Sequence, residues 1–136
     1  MRGLPGSGKS TRAQEIHGTL TDLGLSVTVR STDDQFMVEG GEYRFDPAKI
    51  SLYHVRNQTL AERDLSAGVN VVIIDNTNTQ RWEMEPYERM AERHDVPVRV
   101  VTVGEFTPEA VSLYAERNTH GVPYDTILKM AQRFEP

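Results

Sequence analysis

Apolar residues along this chain recur with helical and strand periods in turn. Residues 9–23 place apolar side chains three and four positions apart, which predicts a helix, and Gly24 follows as a stop. Residues 25–30 carry β-branched side chains and predict a strand. Residues 69–75 form the clearest strand, an apolar run typical of a strand covered on both faces, and residues 98–103 predict the last strand.

Prolines preceded by a capping residue mark the starts of two helices. One of these helices is predicted to reach Ala67. Asp46 is its capping residue, and Pro47 occupies its first position. The threonine–proline pair at 107–108 opens a helix in the same way, and we expect that helix to end at Arg117.

Turn residues assign the remaining segments. Residues 31–46 are polar and contain glycine, so we expect loop for much of their length. A turn over 76–79 precedes a helix that extends towards His94, and Pro86 predicts a late start or a kink there. A last helix is predicted to end near Arg133.

The alternation of strands and helices predicts an α/β fold. We expect a parallel sheet with helices on both faces and right-handed crossovers. A length of 136 residues fits one domain, which would span residues 1–136. Because ligands of open α/β sheets bind beyond the carboxyl ends of the strands, functional side chains are expected at that edge.

Composition and charge exclude several classes of protein. The chain has no cysteine, which excludes disulfides and zinc sites built on thiolates. No apolar run approaches the roughly 18 residues of a membrane span, and Met1 all but abuts the first motif, which leaves no room for a signal peptide. We therefore expect a cytoplasmic protein. A net charge of −5 argues against tight, sequence-blind binding of nucleic acid but permits a small substrate or a single strand end.

Residues 3–11, GLPGSGKST, match the pattern G-x-x-x-x-G-K-S directly before a predicted helix. The glycines let successive N–H groups converge on phosphate oxygens at the positive end of that helix. Lys9 is expected to reach the terminal phosphates of a nucleotide, and the Ser10 hydroxyl to ligate Mg²⁺. A chance glycine loop that only caps a helix is the weaker alternative. The residues predicted to contact the nucleotide here are Gly3, Pro5, Gly6, Ser7, Gly8, Lys9, Ser10 and Thr11.

Two adjacent aspartates, Asp33 and Asp34, come just after the strand predicted over 25–30. A carboxylate at this place can accept the proton of a substrate hydroxyl as its oxygen attacks a γ-phosphate. The alternative is a carboxylate that caps a helix or closes a turn, and with two aspartates each role can be filled. We predict that Asp33 is the catalytic base.

Asp75 ends the run VVIID and is followed by three polar residues. An acid in this position beside a phosphate-binding loop is typically the outer-shell anchor of Mg²⁺, and a solvated carboxylate at the strand end is the alternative. Asn76, Thr77 and Asn78 can either bond a substrate or build the turn, and the sequence favours neither interpretation.

His54 and Asn57 interrupt the apolar face of the helix predicted over 47–67. Buried polar groups need partners. Bonds to nearby backbone or to residues 75–78 are the favoured interpretation over contact with a substrate, and a lone histidine does not predict a metal site.

Arg117 closes the helix predicted over 108–117 and opens the sequence RNTHGVP. Phosphoryl transfer needs positive charge on the migrating group, and Gly121 would let the loop close over the site. The alternative is an arginine that only complements its helix dipole. We predict a lid arginine that contacts the donor phosphates.

Taken together, GLPGSGKST, STDD, VIIDNTN and RNTHGVP resemble the P-loop kinases of the polynucleotide 5′-kinase type, within the AAA-type P-loop family. The chain is similar to small ATP-binding, kinase-like domains of phages and bacteria and of a group of ubiquitin-ligase-binding proteins of animals. The resemblance runs from Gly3 to about Arg133.

The resemblance implies a three-layer P-loop fold and ATP-dependent transfer to a hydroxyl, with a nucleic-acid 5′ end as one acceptor. It implies that Asp33 is the general base towards a 5′-hydroxyl and that Arg117 is the lid arginine. Lys9 and Ser10 match the residues that handle ATP and Mg²⁺.

Two features depart from that family. Phe36 stands near the position where the polynucleotide kinases carry an arginine that grips the acceptor phosphate, which argues against a nucleic-acid acceptor. The first strand, normally four to six apolar residues before the loop and central in the sheet, is largely missing, since only Met1 and Arg2 precede Gly3. We expect the natural chain to begin upstream of Met1.

Three functions are consistent with these residues. The first is an ATP-dependent kinase in which Asp33 is the base, Lys9 and Arg117 hold the phosphates, and Ser10 with Asp75 holds Mg²⁺. The second is a small-molecule kinase on the same scaffold, acting on the hydroxyls of sugar nucleotides or antibiotics. The third is a binding module that responds to nucleotide with little or no catalysis.

Overall fold

Strands and helices alternate along the computed structural model, which describes residues 1–136. None of its helices combines the length and the hydropathy that a bilayer crossing requires. Short 3₁₀ turns span Thr32–Phe36 and Pro47–Lys49. The helices are α1 (Lys9–Asp22), α2 (Ile50–Ser66), α3 (Arg81–Arg93), α4 (Pro108–Arg117) and α5 (Tyr124–Gln132), and the strands are β1 (Val27–Arg30) and β2 (Val71–Ile74).

The sheet is parallel, as the alternation predicts. β1 and β2 pair in register from Val27 opposite Val71 to Arg30 opposite Ile74. α1 packs on β1, α2 packs on both strands, and α4 packs on α5. The α/β fold class is therefore confirmed, with the sheet between layers of helices.

The prediction of a strand over residues 98–103 is wrong, because these residues do not form a regular strand. Only Arg2 pairs with this segment, in an isolated parallel bridge to Thr102 with two backbone hydrogen bonds of 2.8 Å. A strand needs a neighbour to which its amides and carbonyls bond. Val98 and Val100 have no such neighbour, and each is about half exposed, at 53% and 49%.

The residues that precede the glycine loop lie inside the sheet. The amine of Met1 donates a 2.8 Å hydrogen bond to the carbonyl of Ile74, and Arg2 bonds the 101–103 segment on its other side. Met1 and Arg2 thus lie between β2 and residues 101–103. This is the place that the resemblance assigns to a first strand beside VVIID.

A buried arginine joins the two ends of the chain. Arg2 is 4% exposed, and its guanidinium donates to the carbonyls of Asn78, Thr79 and Glu135. The same guanidinium lies 4.5 Å from the centre of the Phe134 ring. Because one guanidinium bonds all three carbonyls, Arg2 fixes the turn after β2 against the carboxyl-terminal residues.

Two helix starts differ from the prediction in detail. Pro86 lies inside α3, which begins at Arg81, so of the two effects predicted for the proline the late start is wrong. Glu83 accepts a 2.7 Å hydrogen bond from the amide of Gln80 and fixes that start. Asp46 caps as predicted, with a 3.0 Å bond from the amide of Ala48, but a 3₁₀ turn precedes α2.

Candidate functional site

A cleft of about 1000 Å³ opens at the edge of the sheet where β1 and β2 end. Its walls come from the glycine loop, the segment after β1, the turn after β2 and residues 117–123. Gly3 and Ser7 lie outside the lining, beneath the rest of the loop. The loop residues that line the cleft are Pro5, Gly6, Gly8, Lys9, Ser10 and Thr11.

The backbone of the glycine loop lies tight against the protein. Gly3 and Gly6 have φ angles of 153° and 78°. A Cβ atom on Gly3 would lie 2.6 Å from the carbonyl oxygen of Val103, and one on Gly6 would overlap the carbonyl oxygen of Tyr114. Leu4, between them, is fully buried against α4 and α5. Glycine is required at both positions, by conformation and by space.

Lys9 brings a partly buried cation to the cleft. Its Nζ donates a 3.3 Å hydrogen bond to the carbonyl of Leu4. Burial lowers the pKa of Lys9, and the charges of Asp75 and Asp33 act in the opposite direction. Since Lys9 also begins α1, the positive end of the helix dipole reaches the same space. These groups together fit a polyanionic ligand such as a chain of phosphates.

Ser10, on the wall of the cleft, is paired with Asp75, which lies outside the cleft lining. The Ser10 hydroxyl donates a 2.7 Å hydrogen bond to Oδ2 of Asp75. The carboxylate of Asp75 is buried, and its Oδ1 has no hydrogen-bond partner. Mg²⁺ in proteins prefers oxygen ligands and commonly takes one or two carboxylates with phosphate oxygens. The unpartnered carboxylate oxygen beside a hydroxyl therefore fits the ion.

Asp33 lines the same cleft as the glycine loop, with 49% of its side chain exposed. The Tyr43 hydroxyl donates to its Oδ1 at 3.4 Å, and Nδ1 of His120 lies 3.4 Å from its Oδ2. Asp34 does not line the cleft. Burial raises the pKa of Asp34, and the neighbouring carboxylates add to that rise. Of the two aspartates, only Asp33 faces the space where substrates would bind.

Tyr43 and His120 are stacked face to face beside Asp33. Their ring centres are 4.1 Å apart and their planes differ by 12°. Burial raises the pKa of Tyr43 to about 12, and the charge of Asp33 and the bond to it act in the same direction. The Tyr43 hydroxyl is therefore a hydrogen-bond donor throughout the neutral range.

The asparagines after β2 hold the turn together. Oδ1 of Asn76 accepts a 2.9 Å hydrogen bond from the amide of Thr32. Asn78 has a φ of 44°, and its side chain donates to the carbonyl of Met1 at 2.9 Å. Thr77 lines the cleft, and its carbonyl accepts the amide of Gly3. These bonds favour a structural role for Asn78, whereas Asn76 and Thr77 also face the cleft.

His54 and Asn57 have polar partners within the protein. Nδ1 of His54 lies 3.2 Å from the hydroxyl of Thr32, which differs from the partners predicted for it. Asn57 is fully buried and donates a 2.9 Å hydrogen bond to Tyr87, which also accepts from Asn76 at 3.5 Å. Asn57 thus reaches the edge after β2 only through Tyr87, and the direct bond predicted to nearby backbone or to residues 75–78 is wrong.

Arg117 ends α4 and lines the cleft beside the glycine loop. Its Nε donates a short hydrogen bond to the carbonyl of Gly6, and its guanidinium lies 5.1 Å from the centre of the Tyr114 ring. Tyr114 is buried, so the arginine rests on a fixed aromatic surface. The guanidinium is therefore held next to the backbone that would surround the phosphates.

Sequence reasoning missed two residues of the site, Tyr43 and His120. Tyr43 lies in the polar segment treated as loop, where an isolated antiparallel bridge to Met37 orders the chain. His120 belongs to the RNTHGVP motif, in which the sequence predicts a role only for Arg117 and Gly121. The occurrence of an aromatic and a histidine in the two predicted cleft loops was the available signal.

Comparison with known proteins identifies a matching family model and similar curated proteins. The model of the AAA domain family matches residues 1–136. NEDD4-binding protein 2 of Homo sapiens is 37% identical to this chain over an alignment of 138 residues, gaps included, and the alignment covers 99% of this chain. The chain spans only 7% of the length of that human protein. The family match extends over every element described above, and it shows that this chain is a P-loop nucleotide-binding domain that belongs to the AAA domain family.

Proposed function

We propose that the chain transfers the γ-phosphoryl group of Mg²⁺-bound ATP to a hydroxyl acceptor. The observation that carries this proposal is that one cleft contains both the lysine of the glycine loop and the carboxylate of Asp33. A domain that only bound nucleotide would need the first group but not the second. A kinase needs both, because the acceptor hydroxyl must lose a proton as it attacks.

The donor side of the cleft is assigned to four side chains. Lys9 and Arg117 would hold the phosphates, since each brings a cation to the glycine loop. Ser10 and Asp75 would hold Mg²⁺. When bound, the ion neutralises phosphate charge that otherwise opposes the attack of the acceptor oxygen.

The acceptor side is assigned to Asp33. Its carboxylate would accept the proton of the acceptor hydroxyl while the acceptor oxygen bonds to the γ-phosphorus. The bond between that phosphorus and the β,γ-bridging oxygen breaks, and ADP leaves with the electron pair. A lone pair on each carboxylate oxygen remains free for this task, because each oxygen has a single contact in the structure.

The acceptor proposed first is a nucleic-acid or nucleotide 5′-hydroxyl, as the family resemblance implies. Phe36 is buried at 2% exposure and packs against the rings of Phe45 and Tyr53, so it cannot be replaced by an arginine without loss of this packing. A phosphate on the acceptor would therefore need a cation other than an arginine at position 36. Small compounds that carry a hydroxyl are the second class of acceptor to test.

The experiment incubates the protein with labelled ATP, Mg²⁺ and a panel of nucleosides, oligonucleotides and sugar derivatives. Acceptor-dependent ADP release and a labelled product are expected with one class. Asp33→Asn should lower the rate by at least about 100-fold, the scale of general base catalysis. Asp34→Asn is the matched control, because Asp34 adjoins Asp33 but lies outside the cleft lining. Tight ATP binding without any acceptor-stimulated turnover would overturn the proposal and favour a nucleotide-dependent binding module.

A further inference from the structure

The turn formed by residues 117–122 touches both sides of the cleft. At its first residue, Arg117 bonds the carbonyl of Gly6 in the glycine loop. Three residues later, His120 lies 3.4 Å from the carboxylate of Asp33. A short turn therefore connects the backbone around the donor phosphates with the side chain assigned as base.

Asn118 closes this turn into a rigid unit. Its side-chain nitrogen donates to the carbonyls of Tyr114, Ala115 and Val122 at 3.0 to 3.3 Å. Its side-chain oxygen accepts a 2.8 Å hydrogen bond from the amide of Val122. His120 is thus presented by a closed turn at the end of α4, and not by a free loop. The backbone from which the His120 side chain extends is therefore fixed at this end of α4.

The Asp33 carboxylate has one of its two side-chain contacts from this turn. Nearly half of the side chain is exposed, and the only side chains that contact its oxygens are Tyr43 and His120. The two rings stack on each other, so neither can turn away without losing the contact. An aspartate without such partners would sample several rotamers in the open cleft.

We propose that His120 is a positioning residue for Asp33. Its imidazole, supported by the face of Tyr43, holds one carboxylate oxygen so that the other lone pairs face the acceptor hydroxyl. His120 itself does not touch the transferred group. The inference rests on the proposed function, because it assigns to His120 an effect on the base of that reaction.

The test compares steady-state kinetics of His120→Leu and His120→Asn with the wild-type chain, using whichever acceptor supports transfer. His120→Leu should lower kcat about tenfold, because small displacements of a reacting group are costly, and should leave the KM for ATP within about twofold. His120→Asn should recover most of the rate, since its amide nitrogen can replace Nδ1. His17→Leu, at a half-buried histidine on α1 outside the cleft, is the control and should have wild-type kinetics.

The outcomes separate the two proposals. No transfer by the wild-type chain with any acceptor overturns the proposed function and this inference with it. Wild-type transfer with an unchanged kcat in His120→Leu overturns the inference alone. An equal loss in the leucine and asparagine variants, or a loss that appears only in the KM for ATP, also overturns it. Thermal unfolding of each variant checks that the fold is intact.

Discussion

The hydroxyl of Ser10 donates a 2.7 Å hydrogen bond to Oδ2 of Asp75, whereas Oδ1 of the same carboxylate is buried without a partner. A buried, unpaired carboxylate oxygen is costly in the free protein. Mg²⁺ brought by a nucleotide would satisfy it, either directly or through a bound water. The cost of this arrangement would thus be recovered on binding.

Asp75→Asn should therefore weaken the binding of ATP in the presence of Mg²⁺. The expected loss is about 10-fold to 100-fold, the scale found for residues that support a metal. Isothermal titration calorimetry with Mg²⁺ and with EDTA measures it. The loss should be confined to the titration with Mg²⁺, because the substitution removes charge from the ion's site. An equal loss in EDTA would show that Asp75 serves the fold and not the ion.

Arg117→Gln should slow transfer more than it weakens ATP binding. The guanidinium is held against the glycine loop, where the proposed transfer would develop negative charge, so we expect kcat to fall about 100-fold. The KM for ATP should rise less than tenfold. Arg89→Gln is the control, because Arg89 is exposed on α3 and pairs only with Glu85. A variant with normal kcat would return Arg117 to the role of a residue that complements its helix.

Local sequence patterns predicted the helices and the glycine loop, because their backbone conformation depends on residues that are close in sequence. Helix periods and caps gave α1, α2, α4 and α5 to within a few residues, and the glycine motif located the loop before α1. The prediction of a strand over residues 98–103 was wrong for a physical reason. Their β-branched composition favours extended backbone, but hydrogen bonds from a neighbour decide whether a strand forms, and only Arg2 supplies any.

The same distinction between local patterns and distant contacts applies to the residues of the candidate site. Lys9, Ser10 and Asp33 could be identified because the spacing of a motif or a strand end specifies them. The stack of Tyr43 on His120 could not, since it joins two loops that are distant in sequence. Nothing in the period or composition of either loop fixes their relative position. Such contacts follow from the fold and are found only with it.

Asp64→Asn should destabilise the protein by about 2 kcal/mol at pH 7. Asp64 is largely buried, and its carboxylate accepts two bonds from Arg30, at 2.6 and 2.7 Å, and one from Thr28 at 2.8 Å. This pair ties α2 to β1. Removal of one partner of a fully buried pair costs about 3–5 kcal/mol, and the partial exposure of Arg30 reduces that figure. Urea unfolding measures the change, and Glu42→Gln, at an exposed pair, should change stability by less than about 0.5 kcal/mol.

The effect of Asp64 should also depend on pH in a defined direction. The hydrogen bonds from Arg30, and then that from Thr28, lower the pKa of Asp64 below its ordinary value of 3.8. The unfolded chain therefore binds a proton at this residue before the folded chain does. The stabilisation is complete above pH 3.8 and is lost as the pH falls through the lowered pKa. The difference between wild type and Asp64→Asn should be constant from pH 5 to 7 and should shrink only below that window.

Lys9→Met should weaken ATP binding about 100-fold, the effect of losing a charge-assisted bond to phosphate worth about 2–3 kcal/mol. Without nucleotide the same substitution should stabilise the protein, because the ammonium is partly buried and its one hydrogen bond, to the carbonyl of Leu4, is long. Calorimetry and urea unfolding measure the two effects. Lys129→Met, at an exposed residue of α5, is the control for both.

The pH dependence of that stabilisation follows from the pKa of Lys9. Burial lowers this pKa below its ordinary value of 10.5, so between the two values the unfolded chain holds a proton that the folded chain has released. Stability therefore rises with pH through this window in the wild type, and Lys9→Met lacks the rise. Tyr43 titrates in both proteins and cancels in the difference between them. The pKa of the Met1 amine is lowered from 8.0 by burial and in part by the charge of Lys9, so this group does not cancel and adds to the gain near neutral pH. The stabilisation by methionine should be largest at neutral pH and should vanish as the pH approaches 10.5. A gain that persists at pH 10.5 would show that the methionine stabilises by packing and not by removal of a buried charge.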